Sequence, residues 1–438
     1  MKSIKRAICV ILAFVLISSS FVCFAADSDK QYHDYDKVLL LGDSQASGYS
    51  DYRDVYSEFC YVEESYAAYL AKDLGAELLP YACPGFRTIE LRYMLDDNYA
   101  GDDRLFNAVP SLPREAFEAS KPYMRQAIKD ADLITIGIGG NDWGAYLTWI
   151  MASVKLKNKL PEEYRNALIQ LLNNASVEDN MIAQIVDLAD QLNATDELAA
   201  ALPEAMSYGV RNMRTNWNWL VEYIYENNPD VTLMVIGMFA GDYKTTKDDP
   251  ETIIESDPVS SAIENYIVDF GNEHVLANQE KYGYIFVDTQ GTIVEESHPT
   301  VAGHRFIADR ILDMLPDARF DLTDIAAGNP DYKAVEYMYL NGLIDGTADK
   351  KFNGNASMTK ADFSAMMNKM GATYIPTDST RAVTLMEVKL AAFVTAENKS
   401  LDDLFALLKY FAQIFFTNDA FAPATRMDVA TEFYSYVK

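Results

Sequence analysis

A serine hydroxyl becomes a useful nucleophile only when a base takes its proton, and this chain of 438 residues holds just four histidines. His33 stands in a polar lead-in, and His274 lies in a segment, Asn272–Gln279, with no other catalytic constellation. The other two share the stretch Glu295-Glu296-Ser297-His298-Pro299-Thr300-Val301-Ala302-Gly303-His304. His298 falls between a short apolar run and a helical pattern, on a loop that can face a neighbouring strand end. His304 falls further along, inside the helix, where a structural or capping role is expected. The serine best placed to meet His298 is Ser44, which closes Val38-Leu39-Leu40-Leu41-Gly42-Asp43-Ser44. By itself Gly-Asp-Ser reads equally as an ordinary turn with a helix cap, so partners decide its meaning.

Acyl transfer also needs hydrogen-bond donors where an oxyanion develops, each worth about 3 kcal/mol when well placed. Three candidates emerge at strand ends: the backbone amide of Ser44, the backbone amide of Gly85 in Cys83-Pro84-Gly85, and the side-chain amide of Asn141 in Gly139-Gly140-Asn141-Asp142. Glycine lets a backbone approach a substrate closely, and asparagine donates without competing for the proton.

Positioning these groups falls to a strand–turn–helix rhythm. Continuous apolar runs predict buried parallel strands at Val38–Leu41, Ala76–Tyr81, Leu133–Ile138, Thr232–Ile236 and Tyr284–Val287. Helical periodicity marks Val62–Leu74, a segment running into Asp130, Met206–Asn227 and Thr300–Leu315. After the turn Cys83-Pro84-Gly85 the chain reads as a loop rich in Asp, Asn and Pro to about Pro113. Residues 143–205 form a helical insertion leaving the third strand's carboxyl end. It is either a lid or acyl-pocket wall over the site, or a helical excursion that only packs on the sheet.

Residues 1–25 carry Lys2, Lys5 and Arg6, then an apolar run from Ala7 to Ser18, then small residues around Ala25. That is the plan of a secretory signal peptide, and no later segment approaches a membrane span. Its removal takes the formal charge from −28 to about −31, a surface that repels phosphate backbones and argues against nucleic acid as a partner. Cys60 and Cys83 then remain, either as a disulfide contributing on the order of 3 kcal/mol or as two separate buried thiols. Beyond Pro316 the rhythm changes to helices, each opened by a capping box: Thr359-Lys360-Ala361-Asp362, Thr384-Leu385-Met386-Glu387 and Thr425-Arg426-Met427-Asp428. Such repetition implies stacked helical units.

Gly42-Asp43-Ser44, Gly85, Gly139-Gly140-Asn141-Asp142 and His298-Pro299, in this order at strand ends, resemble the SGNH hydrolases, also called GDSL esterases and lipases, over residues 36–316. The resemblance implies a flavodoxin-like three-layer α/β/α sandwich with a parallel sheet. It makes Ser44 the nucleophile, His298 the general base, and Ser44, Gly85 and Asn141 the oxyanion hole, with no metal or organic cofactor. Where the family carries aspartate three residues before the histidine, this chain has Glu295, with Glu296 as the competing orienter. Residues 320–438 resemble S-layer homology repeats, carried by Gly342-Leu343-Ile344-Asp345-Gly346, Phe352 and Thr359-Lys360-Ala361-Asp362. That resemblance implies an all-α repeat domain binding an acidic cell-wall polymer, with Lys360 and Arg426 as contacts and Leu385 as a departure.

Together these features predict a secreted, extracellular, wall-associated serine esterase acting on a lipid, a simple ester or an acetylated glycan. Two rivals stand beside it: a non-catalytic surface protein that binds glycan or polymer with a decayed triad, and an acyltransferase using the same site.

Overall fold

The computed structural model describes residues 30–49, 59, 61–101, 114–142, 195–239, 243–246, 249–255, 258–295, 298–370, 380–397 and 422–437. The chain divides into two compact units, one spanning Asp34–Leu315 and the other Pro316–Lys438 together with the residues up to His33. The signal-peptide segment, Cys60, Glu296 and most of the insertion, residues 143–194, lie outside the described residues.

The first unit is built on a five-stranded sheet of β1 (Lys37–Gly42), β2 (Glu77–Ala82), β3 (Leu133–Gly137), β4 (Thr232–Ile236) and β7 (Ile285–Val287). All neighbours are parallel, in the order β2-β1-β3-β4-β7. Val38 through Leu41 are fully buried, which explains why β1 reads as an unbroken apolar run: a central parallel strand is covered on both faces. Alternate residues point opposite ways. Leu39, Leu41, Ile134, Ile136, Leu233, Val235 and Phe286 enter one apolar cluster with α3 (Thr88–Leu95), α4 (Arg114–Asp130) and α5 (Thr195–Asn227). On the other side α2 (Tyr66–Leu74) packs against α7 (Val301–Met314), giving three layers.

Three elements depart from the sequence reading. Thr88–Leu95 is a helix inside the segment read as a loop, with a capping box between Arg87 and Glu90. The crossover helix α5 begins at Thr195, eleven residues before Met206, so it extends into the insertion. A second, four-stranded sheet joins β5 (Tyr243–Thr246), β6 (Asp249–Glu255), β8 (Ile293–Glu295) and β9 (His298–Pro299) in the order β6-β5-β8-β9. A long helix α6 (Pro258–Tyr282) connects the two sheets and carries His274.

The second unit contains α8 (Tyr332–Leu340), α9 (Lys360–Lys369), α10 (Leu385–Glu397) and α11 (Arg426–Val437) around its own apolar cluster. Its three capping boxes meet in a closed ring of backbone hydrogen bonds. Met358 N donates to Ala424 O at 3.0 Å, Ala424 N to Val383 O at 2.8 Å, and Val383 N to Met358 O at 3.0 Å. Each strand-like turn thus satisfies the next, and the divergent module at Thr384 is as much a part of the ring as the others. No helix among the described residues is long and apolar enough to cross a membrane.

Candidate active site

β1 ends at Gly42, and Ser44 opens the four-residue helix α1 (Ser44–Ser47), with Asp43 as its N-cap accepting from Gln45 N at 3.0 Å. Glycine is required at 42. Its φ is +151°, and a Cβ there would come within 2.3 Å of the Gly137 carbonyl oxygen on β3. This close approach lets the neighbouring strand ends lace together: Asp43 N donates to Gly137 O at 3.2 Å, and Cys83 N donates to Gly42 O at 3.0 Å.

Gly85 sits in the turn after β2 at φ +84°, closed by Phe86 N donating to Cys83 O at 3.0 Å. Asn141 lies in the helical turn after β3, and its Nδ2 donates to Phe86 O at 3.1 Å. One amide hydrogen is thereby fixed, which leaves the second for another acceptor. The candidate donors thus come from the ends of three adjacent strands.

His298 is the histidine that reaches Ser44. Its Nε2 lies 2.8 Å from Ser44 Oγ, and the imidazole is 95% buried. For Oγ–H to donate, the neutral ring must carry its proton on Nδ1. The ring meets Tyr49 edge-on, centroids 4.9 Å apart, and Thr300, two residues on, caps α7 by accepting from Gly303 N at 3.0 Å. Glu295 pairs with His298 in the antiparallel register of β8 and β9, so their side chains project from the same face of the sheet. The remaining histidines have other places. His304 Nδ1 accepts from Tyr66 N at 3.3 Å at the start of α2, His274 lies on α6 with its pKa lowered by burial, and His33 is exposed. Cys83 is buried, with its thiol donating to Pro84 O at 3.6 Å.

Two buried carboxylates flank the site. Burial pushes Asp43 up to about 7, opposed by its bond from Gln45 N and by the nearby His298. Burial likewise pushes Asp142 up to about 7, opposed by hydrogen bonds from Thr88. Beside them Arg87 forms a fully buried ion pair with Glu90. None of Asp43, Asp142, Thr88 or Arg87 stood out in the sequence beyond their motifs, because what links them is packing between distant loops.

In the second unit Lys360 Nζ lies 2.5 Å from Glu387 Oε1, and both side chains are largely buried. Arg426 Nε donates to Phe352 O at 2.7 Å, and its guanidinium also bonds Asp345 O. Both cations therefore hold the unit together in this structure.

The family described as GDSL-like Lipase/Acylhydrolase matches residues 38–311, well over half of the chain. The chain belongs to this family. Its five-stranded parallel sheet with flanking helices is that of a GDSL hydrolase fold. The S-layer homology domain matches residues 321–364, which indicates association with the cell surface. Among solved structures, an extracellular lipase from Streptomyces rimosus is 15% identical with a TM-score of 0.38, covering 64% of this chain and 100% of that one. Phospholipase A1 from Streptomyces albidoflavus NA297 is 12% identical at TM-score 0.36, covering 64% and 100%. A family two carbohydrate esterase from Clostridium thermocellum is 14% identical at 0.29, covering 65% and 64%. No curated protein matches the chain.

Proposed function

We propose that this GDSL hydrolase is a secreted serine esterase that forms an acyl-enzyme on Ser44 and is tethered to the cell wall by its S-layer homology unit. The observation that carries the chemistry is the 2.8 Å contact between His298 Nε2 and Ser44 Oγ. Oγ attacks the ester carbonyl carbon while its proton passes to Nε2. Negative charge develops on the carbonyl oxygen, where the amides of Ser44 and Gly85 and Nδ2 of Asn141 donate. Collapse of the tetrahedral intermediate expels the alcohol, which leaves with the proton from His298. Water then attacks the acyl carbon with His298 again as base, releasing the acid and restoring Ser44. Glu295, paired in register with His298, is assigned to stabilise the imidazolium by its charge, the part a carboxylate plays in other triads. The protons and electron pairs balance without a metal or organic cofactor.

Hydrolysis of a p-nitrophenyl ester by wild type and by Ser44→Ala tests this reading, and equal rates would remove it. Retention on purified cell walls of the full chain against a version lacking residues 320–438 tests the tether. Loss of binding on truncation is expected, and equal retention contradicts it.

A further inference from the structure

The three candidate oxyanion donors sit on three loops, and a donor misplaced by 1 Å can cost about 10²-fold in rate. The β1 loop is fixed to both of its neighbours by backbone hydrogen bonds at Gly42 and Asp43. Among the described residues no backbone hydrogen bond joins the β2 and β3 loops, whose strands lie on opposite sides of β1. Side chains join them: Asn141 Nδ2 bonds Phe86 O at 3.1 Å, and its neighbour supplies a second, doubly bonded tie. Asp142, next to Asn141, accepts from Thr88 N at 3.0 Å through one carboxylate oxygen and from Thr88 Oγ1 at 2.5 Å through the other. Thr88 begins α3, three residues after Gly85, and both Thr88 and Asp142 are essentially inaccessible to water. Asn216 on α5 donates to Thr88 Oγ1 at 3.4 Å, and Arg92 donates to Asn216 Oδ1 at 3.3 Å, so the hydroxyl's own hydrogen is directed at Asp142.

We propose that Asp142 is a positioning residue for acyl transfer, clamping Thr88 so that the Gly85 amide and the Asn141 side chain are held as one unit before charge develops. This rests on the reading of Gly85 and Asn141 as oxyanion donors. The clamp needs a carboxylate because both of its oxygens accept. An asparagine has one acceptor oxygen and would leave one of Thr88's two donors unsatisfied in a dry site.

Kinetics on a p-nitrophenyl ester provide the test. Asp142→Asn is expected to lower kcat about 30-fold or more with KM within about threefold. Thr88→Val should match it, and Thr88→Ser, which keeps the hydroxyl, should restore most of the rate. In an Asn141→Ala background Asp142→Asn should cost clearly less than in the wild type, because one of the two donors it aligns is already gone. A folded Asp142→Asn protein with the wild-type kcat, or one with the same full loss in both backgrounds, would overturn the clamp. A second measurement separates it from the esterase reading. In 15N-asparagine-labelled Ser44→Ala protein, Thr88→Val should shift the Asn141 side-chain amide resonance. An unmoved resonance overturns the clamp, whereas a wild type whose hydrolysis survives Ser44→Ala overturns the esterase reading.

Discussion

His298 Nε2 and Ser44 Oγ lie 2.8 Å apart across 254 residues of sequence. The contact exists because β1 delivers the serine from an interior position of the parallel sheet, while β9 of the second sheet brings the histidine back over that strand end. The capped helix α7 then fixes the position of β9.

The donors around this contact are separable. Asn141→Ala should lower kcat by about 10²–10³-fold with little change in KM, since its amide matters once the oxyanion forms. Gly85→Ala should also slow the reaction, because at φ +84° a side chain adds roughly 1–2 kcal/mol of strain and displaces the amide. Steady-state kinetics on both variants check this, and a raised KM with unchanged kcat would contradict it.

Glu295 stands opposite His298 in register. Glu295→Gln should reduce kcat on the order of 10²-fold, by losing the charge that stabilises the imidazolium. Glu296→Gln should change it less than about threefold. The reverse ranking would give the orienting role to Glu296.

Asp43 gives a pH signature in stability. Its ordinary value of 3.8 is pushed up to about 7 in the fold by burial, so the folded state binds the proton more tightly than the unfolded chain. Its contribution is therefore fully present below pH 4 and is lost as pH rises through 7, on the order of 4 kcal/mol in all. Asn keeps the N-cap acceptor without the charge. The Tm of Asp43→Asn relative to wild type should thus climb between pH 4 and 7 and level off above, and a constant difference across that range would contradict the assignment.

The parallel sheet was legible because its strands are continuous apolar runs ending in glycine turns. Burial on both faces imposes that pattern, and it needs no knowledge of the neighbours. The second sheet was not legible. Its strands, such as Tyr243–Thr246 and Asp249–Glu255, mix polar and charged residues in place of a continuous apolar run, yet one of them places His298. Helix α3 was hidden by the surrounding Asp, Asn and Pro, although Thr88-Ile89-Glu90-Leu91 carries its opening turn. Ser44, Gly85, Asn141 and His298 could be singled out because each follows a strand at a recognisable break. Asp142 could not, since its partner Thr88 lies 54 residues away and only the fold brings them together. In the tail the capping boxes were visible. That Lys360 and Arg426 bond within their own unit depended on contacts with Glu387, Phe352 and Asp345.

The most direct test of the account is covalent trapping of the nucleophile with a fluorophosphonate, followed by peptide mapping. Stoichiometric label on Ser44, with parallel loss of ester hydrolysis and slow labelling in His298→Ala, is the result expected of a serine activated by that histidine. Label on another residue, or hydrolysis that continues once Ser44 is blocked, would contradict it.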